Sequence, residues 1–317
     1  MTSVKVVVTG AGGFVCSQIT CALAEAGYET IAVDRFFKTN TLKRLSGLCR
    51  CFTGPIPEIL AEIQDVKPLV VIHGAALTTL PETLGITKAE HFYINSELLT
   101  TTLRWARKSG ASKFLFLSSM GVFDPADGPL QNGLLTEIAQ PSNKGAYGAA
   151  KRANELMTSA SAEVGFQTLS IRLGNVFGPN ETSRDSRQVL SLISRLITQS
   201  ECNEIIELQT PNALREWCWL PDLADCIVNL IAQPFYQTGD VIHAGSPPII
   251  EDLELARAVS ERLGNNKIKC PQDQHPIVRP PMGHAVASAF DNAIWTPIES
   301  ALDQLIPERK LICPPCA

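Results

Sequence analysis

The chain has 317 residues, 45% of them hydrophobic and 19% charged, without any low-complexity tract. That excludes disordered and fibrous proteins and suits one large α/β unit, or a main domain with a smaller companion. Its 27 Lys and Arg against 32 Asp and Glu give a net charge of -5 and no basic stripe, so no nucleic-acid partner is expected. The start MTSVKVVVTG has none of the parts of a secretory signal and no apolar run reaches membrane-spanning length, so the expected location is cytoplasmic, with no membrane partner.

Short runs rich in Val, Ile, Leu and Phe, at Lys5 to Thr9, Thr30 to Asp34, Leu69 to His73, Lys113 to Ser118 and Thr168 to Arg172, read as strands. Between them lie segments of helical length with mixed faces, at Phe14 to Ala26, Glu90 to Ser109 and Gly145 to Val164. Strands alternating with crossover helices imply a doubly wound parallel sheet of the Rossmann type. After Arg172 the rhythm changes to a turn at Gly178 to Asn180, a helix over Ser186 to Thr198, a short strand near Ile205 to Leu208 and a helix over Leu220 to Ala232. Helices over Ile249 to Leu263 and Pro297 to Leu305 follow, between proline-rich loops.

The first strand runs into Gly10-Ala-Gly12-Gly13 and then a helix. Glycines let the backbone approach a pyrophosphate, and the helix start offers unpaired amides. Cys16 stands where a third glycine is expected, and reads as a buried packing thiol. Asp34 ends the second strand, where a carboxylate accepts bonds from an adenosine ribose and repels a 2'-phosphate; NAD is favoured over NADP, with Arg35, Lys38 and Lys43 nearby as a counterweight. Residues 147 to 151 read YGAAK, which puts Tyr147 and Lys151 on one helical face, and FLFLSSMGVF puts Ser118 and Ser119 at the end of a strand. An ammonium beside the phenol favours phenolate, so such a tyrosine can exchange a proton with a substrate hydroxyl.

TGAGGFVC, Asp34, HGAA at His73 to Ala76, Asn95 in YINSELL, SSMGVF, YGAAK, RLGNVFGP and REWCWLPDLAD occur in that order. In this the sequence resembles the extended short-chain dehydrogenase/reductases, the NAD-dependent epimerase/dehydratase group. The resemblance implies Tyr147 as acid/base, Lys151 as the group that lowers its pKa and holds the nicotinamide ribose, and Ser119 as the residue orienting the reacting oxygen, with Ser118 as runner-up. It implies cofactor contacts from Gly10, Gly12, Gly13, Phe14, Val15, Asp34, Arg35, Ala75, Asn95, Tyr147 and Lys151. Asn175 and Arg215 occupy the positions that meet a substrate diphosphate in nucleotide-sugar members; otherwise Asn175 caps a turn and Arg215 pairs with Glu216 or Asp222.

The expected domains are an NAD-binding Rossmann domain over 1–175, with 216–248 contributing, and a smaller substrate-binding portion over 176–215 and 249–317. The expected activity is NAD-dependent epimerisation of a nucleotide sugar. Its alternatives are a dehydrogenase or reductase of a free sugar, sugar acid or other small hydroxy or keto compound, and a cofactor-sensing regulator. A dehydratase needs an acid/base pair beside the serine, and Met120-Gly121 offers none. The partner is a small sugar or nucleotide-sugar substrate, with a homodimer left open. Ten cysteines scattered through the chain read as thiols; Cys313-Pro-Pro-Cys316 alone has CxxC spacing, reads as a frayed tail, and no metal is expected.

Overall fold

A computed structural model describes residues 4–235, 238–271, 276–285, 290 and 292–312; Cys313 and Cys316 lie outside them. Numbering only the strands of the main sheet, these are β1 (Lys5–Thr9), β2 (Glu29–Asp34), β3 (Arg50–Thr53), β4 (Val70–His73), β5 (Lys113–Ser119), β6 (Gln167–Leu173) and β7 (Val241–His243). They lie in the order 3-2-1-4-5-6-7, every neighbour parallel. This is the doubly wound α/β sheet that the alternation of strands and helices predicts.

Both faces of the central strands are buried, which is why β1, β2, β4 and β5 carry near-continuous apolar runs. Val6, Val8, Ile72, Leu115, Leu117 and Ile171 face one core, shared with the helices Phe14–Glu25 and Leu220–Ala232. Their alternates Val7, Ile31, Val33, Val71, Phe114 and Phe116 face the other, shared with the helices Ile56–Glu62 and Lys88–Lys108. The Lys88–Lys108 helix starts where Thr87 accepts a hydrogen bond from Glu90 N at 3.0 Å, a side-chain N-cap.

A second, smaller core lies beside the main sheet. Asn175–Phe177 pairs parallel with Leu214–Trp219, which pairs antiparallel with Ile249–Glu251. The Leu214–Trp219 strand turns Cys218 into the main core and Trp217 and Trp219 into the smaller one, against Phe177, so the two cores share this wall. Among the described residues no helix is long and apolar enough to cross a membrane.

Several element boundaries differ from the sequence reading, the last helix among them, which is Ile298–Ile312. The helix Ala146–Ser159 stops before Val164, because Gly165 takes a left-handed φ of 84° and Glu163 and Phe166 bridge back toward β6. The helix expected from Ser186 is Leu192–Glu201; its N-cap is Ser191, whose hydroxyl accepts from Ser194 N at 3.1 Å, and the residues before it are held by other contacts. Ile249–Glu251 is a strand rather than a first helical turn, because the edge of Leu214–Trp219 binds it; the helix is Asp252–Leu263.

Candidate active site

The glycine turn is shaped by close approaches. Gly10 has φ 78°, and a Cβ on it would lie 2.6 Å from Ala75 N; a Cβ on Gly12 would lie 2.5 Å from Phe36 O. Gly12 N donates to Asp34 Oδ2 at 2.9 Å, so the turn and the acid at the end of β2 are one unit. Gly13 precedes the Phe14–Glu25 helix without a side-chain cap, leaving the first-turn amides to a ligand. Over this turn opens a cavity of about 480 Å³, at the carboxyl ends of β1, β2, β4 and β5, where the strand order reverses.

Gly10, Gly13, Phe14, Val15, Asp34, Arg35, Ala75, Tyr147 and Lys151 line that cavity. Gly12 sits behind the wall and acts through Asp34. Asn95 is also set back: its Oδ1 accepts from Leu77 N at 2.9 Å and its Nδ2 donates to Leu77 O at 3.1 Å and His91 O at 3.0 Å. It fixes the loop after β4 rather than lining the cavity. Bare glycine backbone, a helix start and a carboxylate at the far strand end fit a dinucleotide, and the volume suits a small ligand.

Cys16 is buried, and burial together with the nearby Asp34 charge pushes its thiol up to about 12. Such a thiol is inert at neutral pH. Its sulfur covers the place where a side chain on Gly74 would go, with Leu117 Cδ1 3.1 Å from the same point. The missing glycine at 16 and the glycine at 74 therefore compensate each other. Gly74→Ala is expected to cost about 1 to 3 kcal/mol through overpacking, and Cys16→Gly about 1 kcal/mol through helix propensity. The double variant recovers most of the Gly74→Ala loss; urea unfolding of all four proteins measures this, and additive losses would refute the contact.

Tyr147 and Lys151 lie one turn apart on the Ala146–Ser159 helix. Ser119 ends β5; its Oγ accepts from Gly121 N at 3.0 Å, and it meets the Tyr147 ring around Gly121. Gly121 keeps this spot open, since a Cβ there would lie 3.3 Å from both Ser119 Oγ and the Tyr147 ring. Lys151 Nζ donates to Leu117 O at 2.6 Å, sits 4.6 Å over the Phe116 ring, and is lowered to about 8 by burial. Burial pushes the Tyr147 phenol up, while the neighbouring Ser119 hydroxyl and the Arg187 guanidinium pull it down. The Lys151 ammonium is 5.7 Å from the Tyr147 ring centroid and bonded to a carbonyl.

Ser118 belongs to the cavity wall, but its hydroxyl donates to Glu155 Oε1 at 2.5 Å. Glu155 in turn accepts from Arg172 Nε and Nη2 at 2.9 and 2.8 Å. Of the two serines, Ser119 is thus the one beside the tyrosine.

The smaller sheet carries Asn175 and Arg215. Asn175 Nδ2 is buried without a hydrogen-bond partner among the described residues. Arg215 pairs with neither Glu216 nor Asp222. Its Nε and Nη2 donate to the buried Asp252 at 2.8 and 3.1 Å, and Nη2 also to Thr210 Oγ1 at 3.1 Å. Glu216 pairs instead with Arg279 at 2.5 Å, and Asp222 accepts from Thr296 N at 2.6 Å. Neither Asn175 nor Arg215 lines the glycine cavity.

Arg184 and Arg187 also line the cavity, and no motif points to them. Arg187 lies 5.0 Å over the Phe14 ring and donates to Glu181 Oε1 at 2.5 Å; Arg184 binds Asp34. In the sequence they are two basic residues in a polar loop after FGP.

Several known proteins are similar to this chain in sequence or in fold. A UDP-glucose 4-epimerase of Corynebacterium glutamicum is 27% identical over 62% of this chain and 58% of its own length. The chain thus spans little more than half of that relative, but 90% of an Azospirillum brasilense UDP-glucose 4-epimerase, which is 23% identical over 96% of this chain. An epimerase structure from Methanothermobacter thermautotrophicus superposes with a TM-score of 0.84, at 19% identity, over 98% of this chain and 93% of that one, a likeness of fold. The sequence profile of the NAD dependent epimerase/dehydratase family matches residues 6–245. With that match over most of its length, the chain belongs to the NAD dependent epimerase/dehydratase family.

Proposed function

We propose that this protein is an NAD-dependent nucleotide-sugar epimerase, oxidising a sugar hydroxyl and then reducing the resulting ketone from its other face. The observation that carries the reading is Ser119 and Tyr147 brought together around Gly121 beside a glycine-turn cavity, with Lys151 one helical turn on. When bound, NAD supplies the hydride acceptor and, in the return step, the donor. Tyr147 takes the hydroxyl proton during oxidation and returns it during reduction, so no net proton is consumed. Ser119 orients the same sugar oxygen. Lys151 is fixed by the Leu117 carbonyl and places a positive charge below the reacting centre.

The nucleotide-sugar part rests on Asn175, Arg215 and the UDP-glucose 4-epimerase relatives. Asp252 orients the Arg215 guanidinium through Nε and Nη2, leaving the Nη1 donors without a partner among the described residues, and Asn175 Nδ2 is a second unspent donor. Arg215→Ala removes a charge-assisted contact worth about 1.5 to 3 kcal/mol, which is roughly a ten- to hundred-fold loss of affinity for a UDP-hexose. NAD affinity stays level. Titration of UDP-glucose and a free sugar acid into wild type and variant, with product analysis, tests this. Net NADH release on the free sugar acid alone would replace the epimerase with a dehydrogenase.

A further inference from the structure

Residues 180–187 leave the Asn175–Phe177 strand and contact both banks of the dinucleotide cavity. On one bank, Thr78 N and Thr79 N donate to Ser186 O at 2.8 and 3.1 Å, and Thr79 Oγ1 donates to Asp185 O at 2.7 Å. The turn is closed by reciprocal backbone bonds between Arg184 and Arg187, both 2.8 Å. Arg184 reaches the other bank. Its Nη2 donates to Asp34 Oδ1 and to Phe36 O, each at 3.0 Å, and its Nη1 to Asp34 Oδ2 at 3.3 Å. The same Nη1 lies 3.7 Å from where a Cβ on Gly13 would sit, at the start of the Phe14–Glu25 helix.

We propose that Arg184 is a cofactor-binding residue: its guanidinium is the cationic ligand of the dinucleotide pyrophosphate, and Asp34 is its counter-ion when no pyrophosphate is bound. Asp34 already accepts from Gly12 N at 2.9 Å and Phe36 N at 3.2 Å, so the Arg184 fork occupies the carboxylate positions that a ribose diol would use. Diol and fork compete for them. A guanidinium released from Asp34 has the phosphate cradle next to it, where two ionised oxygens in a recessed site favour a full positive charge over amide dipoles alone. The other cations of the wall are less suited. Lys151 is bonded to the Leu117 carbonyl, Arg187 to Glu181, and Arg35 is exposed beyond Asp34.

The assignment rests on dinucleotide binding in this cleft and not on the choice of sugar. The test is calorimetric titration of the 317-residue chain, freed of bound nucleotide, with NAD and separately with adenosine, which has the ribose but no pyrophosphate. Arg184→Ala is expected to weaken NAD by about ten-fold or more and to leave adenosine binding equal or tighter, because Asp34 is released. Arg184→Lys, which keeps the charge and loses the fork, falls between. Unchanged or tighter NAD binding in Arg184→Ala would make the arginine a mere plug of the ribose site, and equal weakening of both ligands would make it structural; each overturns the proposal. Wild-type protein that binds adenosine but not NAD overturns it together with the cofactor reading of the cleft.

Discussion

Tyr147→Phe is expected to lower turnover of a UDP-hexose by roughly 100-fold or more, with NAD affinity within about two-fold of wild type. The change removes one oxygen and keeps the ring, so packing against Gly121 and the helix is retained. What is lost is the phenolic hydroxyl beside Ser119, the group proposed to protonate and deprotonate the sugar oxygen. Ser119→Ala should act in the same direction but less, since it orients and does not exchange the proton. Steady-state kinetics with a separate NAD titration distinguish loss of chemistry from loss of cofactor. Near-normal turnover of Tyr147→Phe across the pH range would remove Tyr147 from the proton-transfer role.

Glu155→Ala is expected to destabilise the fold by about 3 to 5 kcal/mol. Glu155 and Arg172 are buried, with side chains 3% and 6% exposed, and Glu155 also takes the Ser118 hydroxyl at 2.5 Å. Without the carboxylate, the Arg172 guanidinium keeps, among the described residues, its stacking on Phe123, 4.9 Å away, and stands as an uncompensated charge between β6 and the Ala146–Ser159 helix. Glu155→Leu combined with Arg172→Met removes both charges and should recover much of the loss, because a buried pair contributes little beyond its apolar replacement. Urea unfolding reads the effect. A double variant no more stable than Glu155→Ala would show that the penalty is not one of stranded charge.

The features legible in the sequence are those set by neighbours along the chain. Uninterrupted apolar runs separated by helical lengths specify a parallel sheet, since strands buried on both faces have no polar side. Gly10 to Gly13 announces a close backbone approach because no other residue fits one, and Tyr147 and Lys151 share a face because a helix repeats every 3.6 residues. Where a local rule meets a distant partner, the sequence loses its hold. Ser118 and Ser119 alternate across β5, yet only the position of Glu155 decides which hydroxyl is left for Tyr147. The helix placed at Ser186 begins at Leu192, because Thr78 and Thr79 capture the backbone before it.

By itself, then, the sequence determined the doubly wound fold, the glycine cradle, the acid at the end of β2 and the tyrosine–lysine face, all products of backbone sterics and short-range periodicity. Tertiary structure alone decided which charges meet. Arg184 finds Asp34, Arg215 finds Asp252 rather than Glu216 or Asp222, and Cys16 finds the space above Gly74. Coulombic and packing partners are chosen by distance in space, and residues far apart in the chain become neighbours only once the sheet order brings their loops to one end of the strands.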